Sequence, residues 1–149
     1  MGAVVRSIEI EVSADEFFQV VTDYPRYVEF VSEMRSIEVG RRTGSGVEVT
    51  YTIELAVGPA KRRVSYTLLQ NEEPPRRLTW SLVKGDFMKQ NDGSWSIEAL
   101  GPRRTRATYS IDVRFGLLVP SAISDFLTAR NLPRMLGEFK AHAEKRFAR

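Results

Sequence analysis

Cysteine is absent from this sequence of 149 residues, and His142 is its only histidine. Without cysteine the chain has no disulfide, no thiolate nucleophile and no thiolate metal ligand, a composition that suits a reducing compartment. A single histidine excludes a multi-histidine metal site, and the acidic residues do not cluster as a hard-cation site requires. We therefore predict no metal and no cofactor.

Long apolar runs are also missing from the start of the chain. Residues Met1 to Glu11 carry a charge every few positions, so they resemble neither the apolar core of a secretion signal nor a membrane span. We expect a cytoplasmic protein without a membrane-spanning segment.

A large charge of one sign is lacking as well, because 22 Lys and Arg residues stand against 19 Asp and Glu residues, a net charge of +3. Several arginines are close together, as in a nucleic-acid-binding surface, but they lie near predicted turns with glutamates beside them, which favours solvated charge. No helix-turn-helix, zinc-finger or aromatic RNA-binding pattern accompanies them. A nucleic-acid partner is therefore not predicted. The groups are Arg41–Arg42, Arg62–Arg63, Arg76–Arg77 and Arg103, Arg104 and Arg106.

The length fits a single domain over residues 1–149, large enough to bury about two thirds of the surface of the unfolded chain. A strand is predicted over Val4 to Val12 by alternating apolar residues. Ser13 and Glu16 then have the spacing of a helix capping box. A second short helix is predicted from Pro25, which suits a first helical turn.

From Met34 onward the apolar period is two, which predicts six antiparallel strands. Sequential hairpins of this kind give a sheet with one polar face and one buried face. The segment Asn91 to Gly93 allows two interpretations, a hairpin turn or a bulge inside one long strand. Turns are predicted at Gly44–Gly46, Gly58–Pro59, Pro74–Pro75, Gly85–Asp86 and Gly101–Pro102.

The segment Pro120 to Arg149 changes to a helical period. A sheet of about seven strands is roughly 30 Å wide, whereas a helix with its side chains is about 10 to 12 Å across. The sheet must therefore curl around the helix or leave apolar space beside it. Pro133 is expected either to start a new helix after Asn131, to bend one long helix along the curved sheet, or to form the hinge of a gate. The apolar stripe is Ile123, Phe126, Leu127, Leu132, Met135, Leu136 and Phe139.

Four motifs resemble the START-like, or SRPBCC, superfamily in its polyketide cyclase and coenzyme-Q-binding branch. They are the Asp-Tyr-Pro segment of Asp23–Phe30, the Gly85–Phe87 turn, the Gly-x-Trp pattern of Gly93–Trp95, and Leu132–Leu136 on the terminal helix. The resemblance covers the whole chain. It implies the α+β helix-grip fold also seen in Bet v 1-like proteins. In this fold two short helices follow the first strand, and a curved antiparallel sheet of about seven strands wraps around a long C-terminal helix.

The resemblance also implies an apolar ligand between the sheet and the terminal helix, where the width argument leaves space. Three inward tyrosine hydroxyls, on Tyr51, Tyr66 and Tyr109, are the expected polar points. Arg130 is interpreted either as a partner for a ligand oxygen or as a solvated side chain on the rim. The predicted ligand-binding residues are Tyr51, Ile53, Tyr66, Trp80, Leu82, Trp95, Tyr109, Ile111, Phe126, Arg130 and Met135.

No nucleophile and base pair is recognisable, so no catalytic residue is predicted, and His142 is expected on the surface near the helix end. The primary hypothesis is a carrier or binding protein for an apolar small molecule such as a lipid, isoprenoid or quinone. The alternative is a polyketide aromatase or cyclase that orients and confines its substrate. A third hypothesis is a binder similar to the ribosome-association toxin of this superfamily, acting through the arginine-rich edges.

Overall fold

The computed structural model describes residues 4–57, 59–116 and 131–148. In these ranges the predicted order is confirmed: one strand, two short helices, six strands and a terminal helix. The elements are β1 (Val4–Ile10), α1 (Ala14–Thr22), a 3₁₀ turn (Tyr24–Arg26), α2 (Tyr27–Phe30), β2 (Met34–Thr43), β3 (Gly46–Val57), β4 (Ala60–Glu73), β5 (Arg77–Gly85), β6 (Met88–Gly101), β7 (Arg104–Phe115) and α3 (Leu132–Arg146).

Within the described ranges the seven strands form one antiparallel sheet in the order β1-β7-β6-β5-β4-β3-β2. Successive strands are neighbours, as sequential hairpins require, and β1 pairs with β7 at the far side. The period of two explains which face is buried, since side chains alternate across a strand. On β3, Val49, Tyr51 and Ile53 are buried, whereas Glu48 is exposed.

Residues Asn91 to Gly93 belong to one continuous strand rather than to a hairpin. Asn91 pairs with Val113 and Gly93 with Ile111, without a break between them. The irregularity lies earlier, between Met88 and Gln90, where the register shifts. Such a shift bends the strand locally and helps the sheet to curve.

The ladder between β5 and β6 is short. Its registered pairs run only from Arg77–Ser96 to Trp80–Gly93, whereas β5 continues to pair with β4 as far as Gly85. Gly93 is required where this ladder ends, because a β-carbon there would lie 2.5 Å from Trp80 Cε2.

Helix α1 begins with the predicted capping box. The Glu16 N–H donates to Ser13 Oγ at 3.1 Å, and the Ser13 N–H donates to Glu16 Oε1 at 2.9 Å. These two bonds satisfy backbone donors that have no partner inside the helix. The helix buries its apolar side against the sheet through Phe17, Phe18, Val20 and Val21.

Helix α3 begins at Leu132 and places Pro133 in its first turn. A proline there interrupts no helical hydrogen bond, because the first turn has no intrahelical acceptor for its N–H groups. The predicted stripe is buried at Leu132, Leu136 and Phe139. Its earlier members, Ile123, Phe126 and Leu127, lie outside the described residues.

Polar contacts fix α3 along its length. Arg134 Nη2 pairs with Glu33 at 2.6 Å near its start, and Arg146 Nη1 pairs with Asp23 at 3.1 Å near its end. Exposed ion pairs contribute little stability individually, but their positions set the register of α3 against the segments before β2. None of the described helices combines the length and the apolar character needed to cross a membrane.

Candidate functional site

A cavity of about 90 Å³ lies between the buried face of the sheet and the helices α2 and α3. One water molecule needs at least about 10 to 15 Å³ of such space, so the cavity has room for more than isolated waters. Its described wall consists of Tyr27, Val31, Met34, Tyr51, Tyr66, Leu68, Gln70, Leu78, Trp80, Asn91, Trp95, Tyr109, Ile111, Leu132, Met135 and Phe139.

Seven of the predicted ligand-binding residues lie on this wall. They are Tyr51, Tyr66, Trp80, Trp95, Tyr109, Ile111 and Met135. Ile53 is fully buried and Leu82 is half-buried, but neither is on the described wall. Met34 lies opposite Ile53 across the β2–β3 ladder and lines the cavity itself. Phe126 and Arg130 lie outside the described residues.

The wall includes residues that the sequence argument did not select. Tyr27, Val31 and Met34 come from the helical segment and the start of β2, where strand parity gives no information. Leu132 and Phe139 belong to the predicted helical stripe. Leu68, Gln70 and Leu78 occupy inward positions of their strands, so the alternation of apolar residues could have predicted them.

Two buried amides bind the aromatic wall. The Tyr51 hydroxyl donates to Gln70 Oε1 at 2.7 Å, and the Trp80 indole N–H donates to Asn91 Oδ1 at 3.2 Å. Gln70 and Asn91 are each 2% exposed. A buried amide is stable only when it is hydrogen-bonded, so each pair holds both of its side chains in place.

The hydroxyls of Tyr66 and Tyr109 form no hydrogen bond with any residue in the described ranges. Both side chains are 7% exposed and lie on the cavity wall. A phenol in such a position keeps one donor available. The cavity therefore presents two hydroxyl donors in surroundings that are otherwise largely apolar.

Ring packing sets the positions of these tyrosines. Tyr66 stacks on Tyr51 with ring centroids 5.3 Å apart, and Tyr109 packs edge-on against Trp95 at 5.0 Å. Trp95 in turn contacts Phe139 of α3 at 5.4 Å. Aromatic contacts of this geometry add to the energy of burial, so the two donors are held by packed rings on the sheet.

The described wall carries no charged side chain. Burial raises the pKa of Tyr27, Tyr51, Tyr66 and Tyr109 far above the ordinary value of 10, because a phenolate is poorly stabilised away from water. These phenols stay protonated at neutral pH and act as donors rather than as bases. The described part of the wall is suited to an uncharged ligand and presents no charged acid or base side chain.

His142 is half-buried rather than at the surface position expected for it. Its ring stacks on Phe30 with centroids 4.0 Å apart, and its Nε2 atom is buried without a hydrogen bond in the structure as described. Desolvation, followed by the nearby Arg146 charge, lowers its pKa from 6.5. His142 does not line the described cavity wall.

Acidic and histidine side chains form no group of three or more that could hold a metal ion among the residues described. The site therefore consists of an aromatic wall, two buried amides and two tyrosine hydroxyls that have no partner in the described ranges.

Comparison with protein families identifies a match over residues 10–140 to a family described as polyketide cyclase / dehydrase and lipid transport. No curated protein shows a significant sequence match.

Solved structures share the fold at low sequence identity. The Zhui aromatase/cyclase from Streptomyces sp. R1128 superposes with a TM-score of 0.82 at 15% identity, covering 97% of this chain and 94% of the other. A START superfamily protein from Mycobacterium smegmatis gives 0.80 at 20% identity, covering 97% and 99%. Human STARD10 gives 0.74 at 14% identity, covering 96% and 63%. These superpositions establish the START-like fold, whereas the low sequence identities leave the ligand undetermined.

Proposed function

Since the chain belongs to the polyketide cyclase / dehydrase and lipid transport family of the START-like superfamily, we propose that it binds an uncharged, largely apolar small molecule in the cavity between the sheet and α3. The observation that carries this proposal is the composition of the wall. It is uncharged among the described residues, and two tyrosine hydroxyls on it have no hydrogen-bond partner among those residues.

The unpaired groups favour a ligand with oxygen acceptors. Tyr66 and Tyr109 are both donors, and their raised pKa values keep them protonated. A hydrogen bond from such a donor to a ligand carbonyl or hydroxyl oxygen contributes about 0.5 to 1.5 kcal/mol. Within the predicted group of lipids, isoprenoids and quinones, we favour molecules that carry such an oxygen on an apolar body.

Ligand recovery and thermal stabilisation test the proposal together. Native mass spectrometry of the purified protein should detect a copurified apolar molecule. A short-chain quinone, an isoprenoid alcohol, a fatty acid methyl ester and an oxygen-free hydrocarbon should be compared by the melting temperature of the protein. We expect the oxygenated compounds to raise it most, since a ligand that binds only the folded state stabilises it by mass action. If no molecule copurified and no compound raised the melting temperature, the proposal would fail.

Tyrosine variants connect the effect to the cavity. Tyr66→Phe and Tyr109→Phe should each weaken binding of the best oxygenated ligand by roughly five- to tenfold, with little effect on a hydrocarbon. Tyr24→Phe is the matched control, because the Tyr24 hydroxyl donates to Glu72 Oε2 at 2.7 Å and Tyr24 is not on the described wall. It should leave ligand affinity unchanged.

A polyketide aromatase or cyclase is the second candidate, favoured by the family description and by the likeness to the Zhui structure. An uncharged wall with fixed donors would orient a poly-carbonyl chain and restrict its foldings, and such confinement accelerates an intramolecular reaction. Incubation with a polyketide-synthase product distinguishes the two candidates. Cyclised product that decreases in Tyr66→Phe and Tyr109→Phe supports the enzyme, and binding without turnover supports the carrier.

A further inference from the structure

One end of the sheet carries exposed cations and exposed apolar side chains together. The start of β4, the β5–β6 turn and the end of β7 meet there, since the Arg62 guanidinium lies over the Phe87 ring, the Asp86 N–H donates to Ser65 O and Met88 pairs with Phe115. We call this end the tip surface and define it as Lys61, Arg62, Val83, Lys84, Phe87, Lys89 and Arg114, all of which are exposed.

The five cations of the tip surface form no direct ion pair with any residue that the structure describes. Several arginines elsewhere do form ion pairs, although Arg41, Arg76 and Arg77 pair with no acid among the described residues. Arg42 pairs with Glu72 at 2.7 Å, and Arg106 pairs with Glu98 at 3.3 Å. Unpaired cations at one end create a positive potential that attracts an anionic partner.

The acids nearest to the tip surface are already engaged. The Asp86 carboxylate accepts a hydrogen bond from the Ser65 N–H at 3.0 Å. Glu54 interacts with Arg63 at 3.3 Å and with Arg35 at 3.6 Å. Asp86 keeps its negative charge within the β5–β6 turn, and Glu54 also attracts Lys61, so these acids offset part of the charge of the five cations, which remain in excess.

Two apolar side chains lie among these cations. Val83 is 47% exposed and Phe87 is 37% exposed. The Arg62 guanidinium lies over the Phe87 ring, 5.5 Å from its centroid. An exposed ring held by a cation is suited to the interface between lipid headgroups and acyl chains, where aromatic side chains are enriched.

The backbone at Phe87 is strained. Its φ of +65° lies in the left-handed region, which a bulky residue rarely occupies. Strained residues persist where the surrounding structure fixes them, and they cluster at functional positions. Here the Asp86 N–H donates to Ser65 O at 2.9 Å and the Gly116 N–H donates to Phe87 O at 2.9 Å. The turn therefore presents Phe87 from a fixed backbone.

The tip surface also adjoins the cavity. Tyr66 lies on the cavity wall and is the registered partner of Gly85, the last residue of β5 before the β5–β6 turn. A β-carbon at Gly85 would come 2.9 Å from Tyr66 Cβ, so the turn packs directly on the wall residue. A partner bound at the tip surface would thus lie next to Gly85, which contacts the wall residue Tyr66.

We propose that the tip surface docks on anionic lipid bilayers, with the cations on the headgroups and Phe87 and Val83 inserted at the headgroup–acyl boundary. Apolar insertion combined with unpaired cations is the combination that gives peripheral membrane binding. Single-stranded nucleic acid instead requires successive aromatic platforms along a basic groove, and Phe87 is the only aromatic residue in the tip surface as defined.

Vesicle cosedimentation of the full chain tests the proposal. At low ionic strength the protein should sediment with vesicles of phosphatidylcholine containing phosphatidylserine, and much less with pure phosphatidylcholine. Salt at about 0.5 M should release most of it, because charges are then screened within about 5 Å. Equal partitioning to both vesicle types, or no sedimentation with either, overturns the proposal.

Matched variants locate the surface. Each cation near an anionic membrane contributes about fivefold to partitioning, so Lys84→Gln with Lys89→Gln should weaken it about 25-fold. Arg76→Gln with Arg77→Gln is the control, since it removes the same charge from the β4–β5 turn outside the tip surface and should have little effect. Equal losses in both double variants would show that binding depends only on the net charge of the protein, which would overturn the proposal.

Phe87→Gly separates insertion from charge. Glycine accepts the positive φ without strain, so this variant should keep its fold, as checked by its melting temperature, while it loses at least about fivefold in partitioning. Unchanged partitioning would contradict insertion at Phe87. An RNA oligonucleotide that binds more tightly than the anionic vesicles, and is lost in the same variants, would assign the surface to nucleic acid instead. All these variants should bind the small-molecule ligand as tightly as the unaltered chain. The outcome of the vesicle experiment is therefore independent of the outcome of the ligand-binding experiment.

Discussion

The indole ring of Trp80 lies against the backbone of Gly93, its partner at the end of the β5–β6 ladder, with no room between them for a side chain. A β-carbon at residue 93 would come 2.5 Å from Trp80 Cε2 and 2.6 Å from the Ser110 carbonyl oxygen. Trp80 lines the cavity. The absence of a side chain at Gly93 therefore allows this part of the wall to lie close to the sheet backbone. The glycine of the Gly-x-Trp pattern is thus required because the Trp80 ring approaches the backbone at this position.

Gly93→Ala should lower the free energy of unfolding by about 1 to 3 kcal/mol, the usual cost of overpacking a core. The Ser110 carbonyl belongs to the β6–β7 ladder, where Ser110 pairs with Ser94, and it cannot move without disturbing that pairing. Urea unfolding measures the loss. Gly137→Ala is the control, because nothing lies within 4 Å of its β-carbon on α3. It should stabilise the protein by about 0.5 to 1 kcal/mol.

Tyr51→Phe and Tyr66→Phe should separate a structural hydroxyl from the hydroxyl that we propose binds the ligand. Tyr51→Phe leaves the buried Gln70 amide without its partner and should cost about 1 to 3 kcal/mol of unfolding free energy. Tyr66→Phe removes a hydroxyl without a described partner and should change stability by less than about 0.5 kcal/mol. Chemical denaturation of both ligand-free variants measures the difference. Equal losses would show that Tyr66 is bonded within the protein.

Ser13→Ala should destabilise the protein by about 1 kcal/mol through loss of the α1 capping box. The change removes the acceptor of the Glu16 N–H, which then has no side-chain cap. Thermal unfolding followed by circular dichroism detects the effect as a lower melting temperature. Ser36→Ala, at an exposed position on β2, is the control and should be neutral. A neutral Ser13→Ala would mean that the helix start is held by packing alone.

The free energy of unfolding should decrease as the pH falls through 6.5. Desolvation, with the Arg146 charge, lowers the pKa of His142 in the folded chain. The unfolded chain therefore takes up the proton first, and protonation favours unfolding. Urea titrations at about pH 7.5 and about pH 5.5 measure this change, which spans the ordinary histidine pKa. His142→Gln should flatten the dependence. The carboxylates with lowered pKa values, Glu9, Glu54 and Glu144, titrate below this window.

The sequence predicts most of the sheet because each strand buries one face. Val49, Tyr51 and Ile53 show the alternation directly, and the capping residues Ser13 and Glu16 locate α1. Parity also selects six residues that line the cavity, and the helical stripe adds Met135. Parity cannot tell how far along a strand the cavity extends, which explains why Ile53, opposite Met34, and Leu82, beside the register shift after Thr67, are off the described wall.

Contacts between distant segments are not encoded in strand parity. Tyr27 reaches the cavity because α2 packs against the sheet and α3, with its ring 6.1 Å from Tyr51 and 5.2 Å from Phe139. Gln70 and Asn91 have buried positions that a polar residue occupies only when a partner is present. Those partners, Tyr51 and Trp80, lie 19 and 11 residues away. Such pairings follow from the register, which a single sequence leaves undetermined.

The short ladder between β5 and β6 makes the sheet mechanically two ribbons, one of β2 to β5 and one of β6, β7 and β1. Only four registered pairs join them, whereas twelve join β3 to β4. We call the boundary between β5 and β6 the seam. Backbone hydrogen bonds between strands oppose bending of a sheet, so the sheet bends most easily at the seam, where these bonds are fewest. Tyr66 belongs to one ribbon and Tyr109 to the other. A bend at this seam would change the separation of the two hydroxyl donors while the strand pairing inside both ribbons stays intact.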